Sequence, residues 1–187
     1  MTLDIVGHAI VSADGMIADR DHRMPMALRN DTDWRRFQAA LDRSALVVLG
    51  RVGHAAHPNP GRKRLVVTSR VAWLEPDPAD SNAMLWNPNG ISFRRVIAGF
   101  GIVEGGIAVT GGTRVFDLFL PLFTRFDLVE VEGVAIPDGV PCFAAGRPAQ
   151  MLAAAGLRAR ANEVLDAGVG LTVWSASREP AYLSASG

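Results

Sequence analysis

Three arginines in this sequence directly follow short apolar runs that end in small residues. Arg51 comes after Ala45–Leu49 and Gly50, Arg70 after Arg64–Thr68 and Ser69, and Arg114 after Gly106–Thr110 and Gly111-Gly112-Thr113. A guanidinium is a permanent cation whose fork of N–H donors fits a phosphate. A Gly-Gly step lets backbone N–H groups approach an anion closely at the start of a helix. If the three run ends lie side by side, three guanidinium groups and the hydroxyls of Thr68 and Ser69 converge on one phosphate-sized region. Taken singly, each arginine is equally well read as a solvated surface residue and Gly-Gly as a plain tight turn. The GxGxxG dinucleotide fingerprint is absent, which speaks against a standard Rossmann site.

Other reactive side chains form no such pattern. His54 and His57 are three apart and His8 and His22 stand alone, with no cysteine or carboxylate motif to complete a metal-ligand set. Cys142, between Pro141 and Phe143, reads as a small buried hydrophobe, and no nucleophile-elbow motif accompanies any serine.

The elements that must carry the arginines are legible from periodicity. Asp4–Ser12 is an apolar, partly β-branched run closed by the Asp14-Gly15 turn dipeptide, a buried strand entering a loop that runs to about Asn30. Trp34, Phe37 and Leu41 recur at helical spacing from Thr32, with Asp31 placed as an N-cap. Ala45–Leu49 and Arg64–Thr68 read as interior strands. Glu75–Gly90, rich in Pro, Asn and Asp, reads mostly as loop, with a short strand at Ala83–Trp86. Ser92–Phe100 follows as a helix. Next come a strand at Gly106–Thr110, a helix through Val115, Leu118, Phe119 and Leu122, a strand at Phe126–Val134 and a late strand at Leu171–Trp174. The tail from Ser175 reads as frayed. Strands alternating with helices predict an α/β fold with a largely parallel sheet, and ligands at the carboxyl ends of its strands: Ser12, Gly50, Ser69 and Gly111.

Composition narrows the function classes. The 187 residues suit one domain, expected over residues 1–177 with 178–187 as a flexible tail. At 49% hydrophobic and 20% charged the chain is not disordered, and 19 basic against 19 acidic residues give no field for a nucleic-acid backbone. A single cysteine fits a reducing compartment, and no stretch reaches the ~18 apolar residues that span a bilayer. A cytoplasmic monomer or homodimer acting on a small molecule is the expectation.

The order Met24-Pro25, Gly50-Arg51, Pro60-Gly61-Arg62-Lys63, Val67-Thr68-Ser69-Arg70 and Gly111-Gly112-Thr113-Arg114-Val115-Phe116, continued by Phe119-Leu120-Pro121, resembles dihydrofolate reductase from Ile5 to Val134. Ser12-Ala13-Asp14-Gly15-Met16-Ile17-Ala18, with Glu104-Gly105-Gly106 and Gly139-Val140-Pro141-Cys142-Phe143, is similar to the reductase domain of the riboflavin pathway. Both families share one fold, so the resemblance implies a three-layer α/β domain with a predominantly parallel central sheet and antiparallel C-terminal strands.

The resemblance also implies an NADPH-dependent reductase that transfers hydride to a pteridine-type heterocycle such as 7,8-dihydrofolate. A reductase of a phosphoribosyl aminopyrimidine, or a nucleotide-binding protein without turnover, are the alternatives. By similarity Gly111, Gly112 and Thr113 hold the pyrophosphate, with Gly50, Thr68 and Val115 beside them. Arg51, Ser69, Arg70 and Arg114 hold the 2′-phosphate, while Ile17 and Ala18 line the nicotinamide pocket under a loop from Asp14 to Met26. Met26, Trp34 and Arg62 border the substrate, Arg62 facing a substrate carboxylate. The catalytic carboxylate is Asp31 when counted from Met24-Pro25 and Asp33 when counted back from Phe37. The sequence departs from the dihydrofolate reductase pattern at Met26, where a tryptophan is usual, and at Val129, where a threonine is usual.

Overall fold

The computed structural model describes residues 3–57 and 59–176. The apolar runs form the middle of a nine-stranded sheet: β1 (Leu3–Ser12), β3 (Ser44–Gly50), β4 (Arg64–Val67), β6 (Asp80–Trp86), β7 (Gly105–Val109) and β8 (Arg125–Val131) are mutually parallel. Antiparallel strands close both edges, β5 (Leu74–Asp77) on one side and the hairpin of β10 (Leu157–Asp166) and β11 (Val169–Ala176) on the other. The order is β10-β11-β8-β1-β7-β3-β4-β6-β5, and a small second sheet pairs β2 (Met16–Ala18) with β9 (Val140–Pro141). The α/β architecture is therefore the expected one, with its parallel centre and antiparallel C-terminal strands.

Helices cover both faces. On one, α3 (Phe93–Gly99), α4 (Thr113–Phe119) and α5 (Pro148–Ala154) contribute Phe93, Val96, Phe116, Phe119 and Leu152 to the largest apolar cluster, together with Ile5, Leu65, Trp86, Ile107 and Phe126 from the strands. On the other, α1 (Asp31–Asp42) lays Phe37 and Leu41 on Val47, Leu49, Val66 and Ala108. A third cluster joins Leu28 to Val129, Val131, Val169 and Leu171. The 3-10 turn Met26–Leu28, just before α1, presents Leu28 to that cluster.

Several expectations need correction. Asn30, not Asp31, caps α1: its side chain accepts from the Asp33 N–H at 2.8 Å, and Asp31 is the first helical residue. Either residue type can cap, and Asn30 alone has the extended backbone that the position requires. A short helix absent from the sequence reading, α2 (Arg51–Ala56), carries Arg51. Residues 75–90 hold two strands rather than one fragment, because Pro76 is tolerated on the edge strand β5. Beyond Val134, β9, α5 and β10 went unread. Pro148 opens α5 rather than breaking it, and β10 is exposed along most of its length, so its sequence shows no apolar alternation. Ser175 and Ala176, read as frayed tail, belong to β11; residues 178–187 lie outside the described residues.

The core tolerates little extra volume where β1 crosses β8. A methyl group on Gly7 would fall 2.2 Å from the Phe126 ring and 3.0 Å from that of Phe123. Both rings are buried and packed edge-on against each other at 5.1 Å, so neither can swing away. Gly7→Ala is expected to cost about 2–3 kcal/mol of unfolding free energy, measured by urea denaturation. A cost under about 0.5 kcal/mol would mean that the contact is slack.

Candidate functional site

In the sheet order β1-β7-β3-β4 the four run ends picked out by the sequence are neighbours. The Gly50 N–H, at the end of β3, donates to the Gly111 carbonyl just beyond β7 at 3.1 Å, and Thr110 N–H donates to Val48 at 2.9 Å. Gly111 has φ +108°, and a Cβ there would lie 2.7 Å from the Phe116 ring. Gly112, φ +83°, is exposed with open space around it and leads into α4. A side chain at Gly111 is thus excluded twice, by conformation and by packing.

Around this turn stand the cations and hydroxyls. Arg51, Arg70 and Arg114 are exposed, and none forms an ion pair with another described residue. Ser69 is exposed beside them. Thr68 is buried; its N–H donates to Trp86 and its hydroxyl oxygen accepts the Arg70 N–H at 3.1 Å, which fixes the turn after β4. The Thr113 hydroxyl donates to the Pro141 carbonyl, tying the start of α4 to β9, and Val115 is buried beneath.

That tie leads to the loop after β1. Two of the three segments similar to the riboflavin-pathway domain touch each other: Met16 pairs with Pro141 and Ala18 with Val140, while Cys142 N–H donates to Gly15 at 3.0 Å. Ser12 donates to the Asp14 carboxylate, which also accepts the Ile136 N–H at 3.1 Å. The Ser12 hydrogen bond above all, with that of Ile136, holds the Asp14 carboxyl below its ordinary range. Asp14 therefore organises the loop that presents Ile17 and Ala18, both half-buried. Cys142 is fully buried, which pushes its thiol pKa far up and leaves it inert.

The two candidate carboxylates differ. Asp31 is exposed, whereas Asp33 faces inward and burial, with the nearby Asp127 charge, raises its pKa despite the opposing Arg36. Beneath α1 lies a charged cluster that sequence reasoning missed. Asp127 on β8 is 3% exposed and accepts from Arg36 at 2.5 Å and from Arg125 at 2.6 Å, with His8 Nδ1 on β1 at 3.6 Å. Burial alone would raise the Asp127 pKa, but the Arg125 hydrogen bonds and the cations around it hold it below the ordinary range. His8 is pushed down to about 4, chiefly by burial. Polar residues at positions 8 and 127, each with apolar neighbours on both sides in the chain, were the available signal.

A file of rings leads from the surface to this cluster: Trp34, half-exposed, lies 5.9 Å from Phe37, and Phe37 lies 5.8 Å from His8. Met26 is 72% exposed, and Val129 is buried against Leu28. The Arg62 guanidinium is engaged by Asp42 at 2.6 Å and by Gln38 and Asn59 at 2.9 Å, away from the glycine turn. Among the described residues no three His, Cys, Asp or Glu side chains are grouped as a metal centre requires, and no helix is long and apolar enough to cross a membrane.

No protein-family model matches the sequence, and no curated protein matches it. In structure the chain is similar to a riboflavin biosynthesis protein of Shewanella sp. PV-4, 19% identical, covering 94% of this chain and 99% of that one at a TM-score of 0.66. It is equally similar to a dihydrofolate reductase of Enterococcus faecalis complexed with NADP(H) and RAB-propyl, 17% identical, covering 94% and 97% at 0.66. The fold is that of dihydrofolate reductase. Within the dihydrofolate reductase fold the glycine turn, the three arginines and Asp33 all belong to the carboxyl-terminal side of the parallel strands.

The buried His8 makes stability depend on pH. Its folded pKa, about 4, is below the ordinary 6.5, so between those values the unfolded chain binds more protons and stability rises with pH. Acidification from pH 6.5 to 4 is expected to remove about 3 kcal/mol through this group. Asp33, with its raised pKa, acts in the opposite sense. Urea unfolding across this range should show a shallower slope for His8→Gln than for the natural protein; equal slopes would place the titration elsewhere.

Proposed function

We propose that the protein is an NADPH-dependent reductase that delivers hydride to a planar nitrogen heterocycle of the pteridine or pyrimidine class. The observation that carries this reading is the contact of Gly50 with Gly111, ringed by three arginines without ion-pair partners among the described residues. Gly111 lies flat on the Phe116 ring, and Gly112 beside it is exposed with open space around it, so the backbone N–H groups of the turn are accessible to a diphosphate. Gly111, Gly112 and Thr113 would hold the pyrophosphate of NADPH, with Gly50 and Val115 shaping the floor. Arg51, Ser69, Arg70 and Arg114 would hold its 2′-phosphate through charge-assisted hydrogen bonds. Bound there, NADPH supplies a hydride from its nicotinamide ring.

The chain's own residues do the rest. Ile17 and Ala18, fixed by the Asp14 turn, cover the nicotinamide side and exclude water. Trp34 and Met26 offer an apolar wall to a flat ring. Asp33, inward-facing and with a raised pKa, binds the amino edge of the heterocycle and hands on the proton that balances the hydride. Arg62 braces the loop before β4 against α1, and its bonds to Asp42 and Gln38 leave it a poor anchor for a substrate carboxylate.

Within this class an aminopyrimidine phosphate of the riboflavin-pathway kind is a second reading. It is favoured by the direct pairing of 16–18 with 140–141, which belong to two of the three segments that carry that similarity. Val129, which has no hydroxyl to support a catalytic carboxylate, also weighs against dihydrofolate.

NADPH oxidation measured against dihydrofolate and against a ribitylated or ribosylated aminopyrimidine tests both readings. Asp33→Asn should lower turnover of the accepted substrate by about 10²–10³-fold while NADPH affinity stays within about twofold, and Asp31→Asn should change turnover less than about threefold. Loss in Asp31→Asn with Asp33→Asn unaffected would overturn the assignment. NADPH binding with no consumption of either substrate would indicate a nucleotide-binding protein without turnover.

A further inference from the structure

Arg36 follows Asp33 on α1 at the i, i+3 spacing, which puts an aspartate and an arginine on one helix face within pairing reach. Here they do not pair. The Arg36 guanidinium goes instead to Asp127 on β8, at 2.5 Å. The Asp33 carboxyl, half-buried, is left with neither an ion-pair nor a hydrogen-bond partner among the described residues, its only side-chain bond being the one its N–H gives to Asn30.

Stability alone does not call for a carboxylate at position 127. Asp127 is 3% exposed between the buried Phe126 and Leu128, and an apolar side chain in place of a buried ion pair is often as stable or more so. What the carboxylate does is place cations. Arg125, from its own strand, bonds it at 2.6 Å, Arg36 bonds it from α1, and His8 Nδ1 on β1 lies 3.6 Å away. Of these groups it is Arg36 and Asp127 whose charges reach Asp33: burial raises the Asp33 pKa, Arg36 opposes the rise and Asp127 adds to it.

We propose that Asp127 is a positioning residue for the reaction put forward above: by holding Arg36 against β8 it keeps that cation off Asp33 and leaves the Asp33 oxygens open to the heterocycle. The inference rests on the reading of Asp33 as the group that binds the substrate. The amino edge of a heterocycle offers neutral N–H donors, whereas a guanidinium offers charged ones in a fork that fits both oxygens of a carboxylate. An Asp33 captured by Arg36 would therefore be lost to the substrate.

The Asp33 carboxyl carbon, assigned by the signal missing from Asp33→Asn, can be followed by NMR through a pH titration of the full chain without ligand. In the natural protein it should titrate above the ordinary carboxylate range. In Asp127→Asn, Arg36 is free to swing onto Asp33 and the midpoint should move to lower pH. Arg36→Gln should then raise the midpoint further in the Asp127→Asn background than in the natural one, the coupling that a relocated cation requires. Equal effects of Arg36→Gln in both backgrounds, or a midpoint that Asp127→Asn leaves in place, would overturn the proposal. A natural midpoint below the ordinary range would put Arg36 on Asp33 already, and would overturn it even if Asp127→Asn did not fold. Steady-state kinetics on the accepted heterocycle give a second readout. KM should rise about tenfold in Asp127→Asn and fall back when Arg36→Gln is added, while NADPH affinity stays within about twofold; a KM that the second substitution does not restore would make Asp127 merely structural. Absence of turnover on any heterocycle would count against the reductase reading, and the titration would still decide whether Asp127 keeps Arg36 off Asp33.

Discussion

The close approach of β3 and β7 at their carboxyl ends governs the geometry of the site. Two hydrogen bonds join the two ends, Thr110 N–H to Val48 and Gly50 N–H to the Gly111 carbonyl, and Gly111 makes the second with a positive φ over the Phe116 ring. Phe116 in turn is locked by Phe126 and Phe143 at 5.4 and 5.9 Å. The aromatic core thus sets the height of the glycine turn, and the turn sets where α4 begins. Because α2 starts directly after Gly50, the same contact sets the position of Arg51. Thr113 passes the constraint on through Pro141 to β9, and β9 passes it to the loop bearing Ile17 and Ala18. The half of the candidate cleft proposed to bind phosphate and the half proposed to cover the nicotinamide are therefore one mechanical unit.

The other half of the cleft is governed by charge. Asp127 sits in an otherwise apolar layer between the cluster around Leu41 and the cluster around Leu28. Two arginines neutralise it, one from its own strand and one from α1, so the helix is clamped to the sheet one turn beyond Asp33. Removing both arginines would leave a buried charge uncompensated, at a cost of about 3–5 kcal/mol. The same clamp holds Asp33 half-buried, and burial raises its carboxyl pKa above the ordinary range. His8 remains neutral near pH 7 and fills the floor as a ring set edge-on to Phe37.

What could be read from the sequence follows from where side chains are buried on both faces. β1, β3, β4 and β7 are continuous apolar runs because helices cover both sides of them, and their glycine and serine ends, singled out in the sequence, are neighbours in the sheet. β10 was unreadable for the opposite reason: most of its side chains face solvent, so no alternation betrays it. The Asp31 and Asp33 ambiguity came from counting out of two anchors, Met24-Pro25 and Phe37, and it is burial in the fold that tells an exposed Asp31 from a half-buried Asp33. Arg64 shows the limit most plainly. In sequence it is merely the first residue of a strand, whereas in the fold it is 1% exposed and bonded to Asp80 across the sheet. Long-range pairs such as this, and Asp127 with Arg36, leave no local pattern.

The central claim is that the carboxyl ends of β3, β4 and β7 form a site for NADPH. Titration of the natural protein with NADPH and, separately, NADH, followed by energy transfer from tryptophan to the reduced nicotinamide, tests it most directly. The account predicts saturable binding of both, with NADPH tighter by about 10–100-fold through charge-assisted bonds to its 2′-phosphate, and with that preference reduced in Arg70→Ala. Absence of saturable binding by either nucleotide would contradict the account.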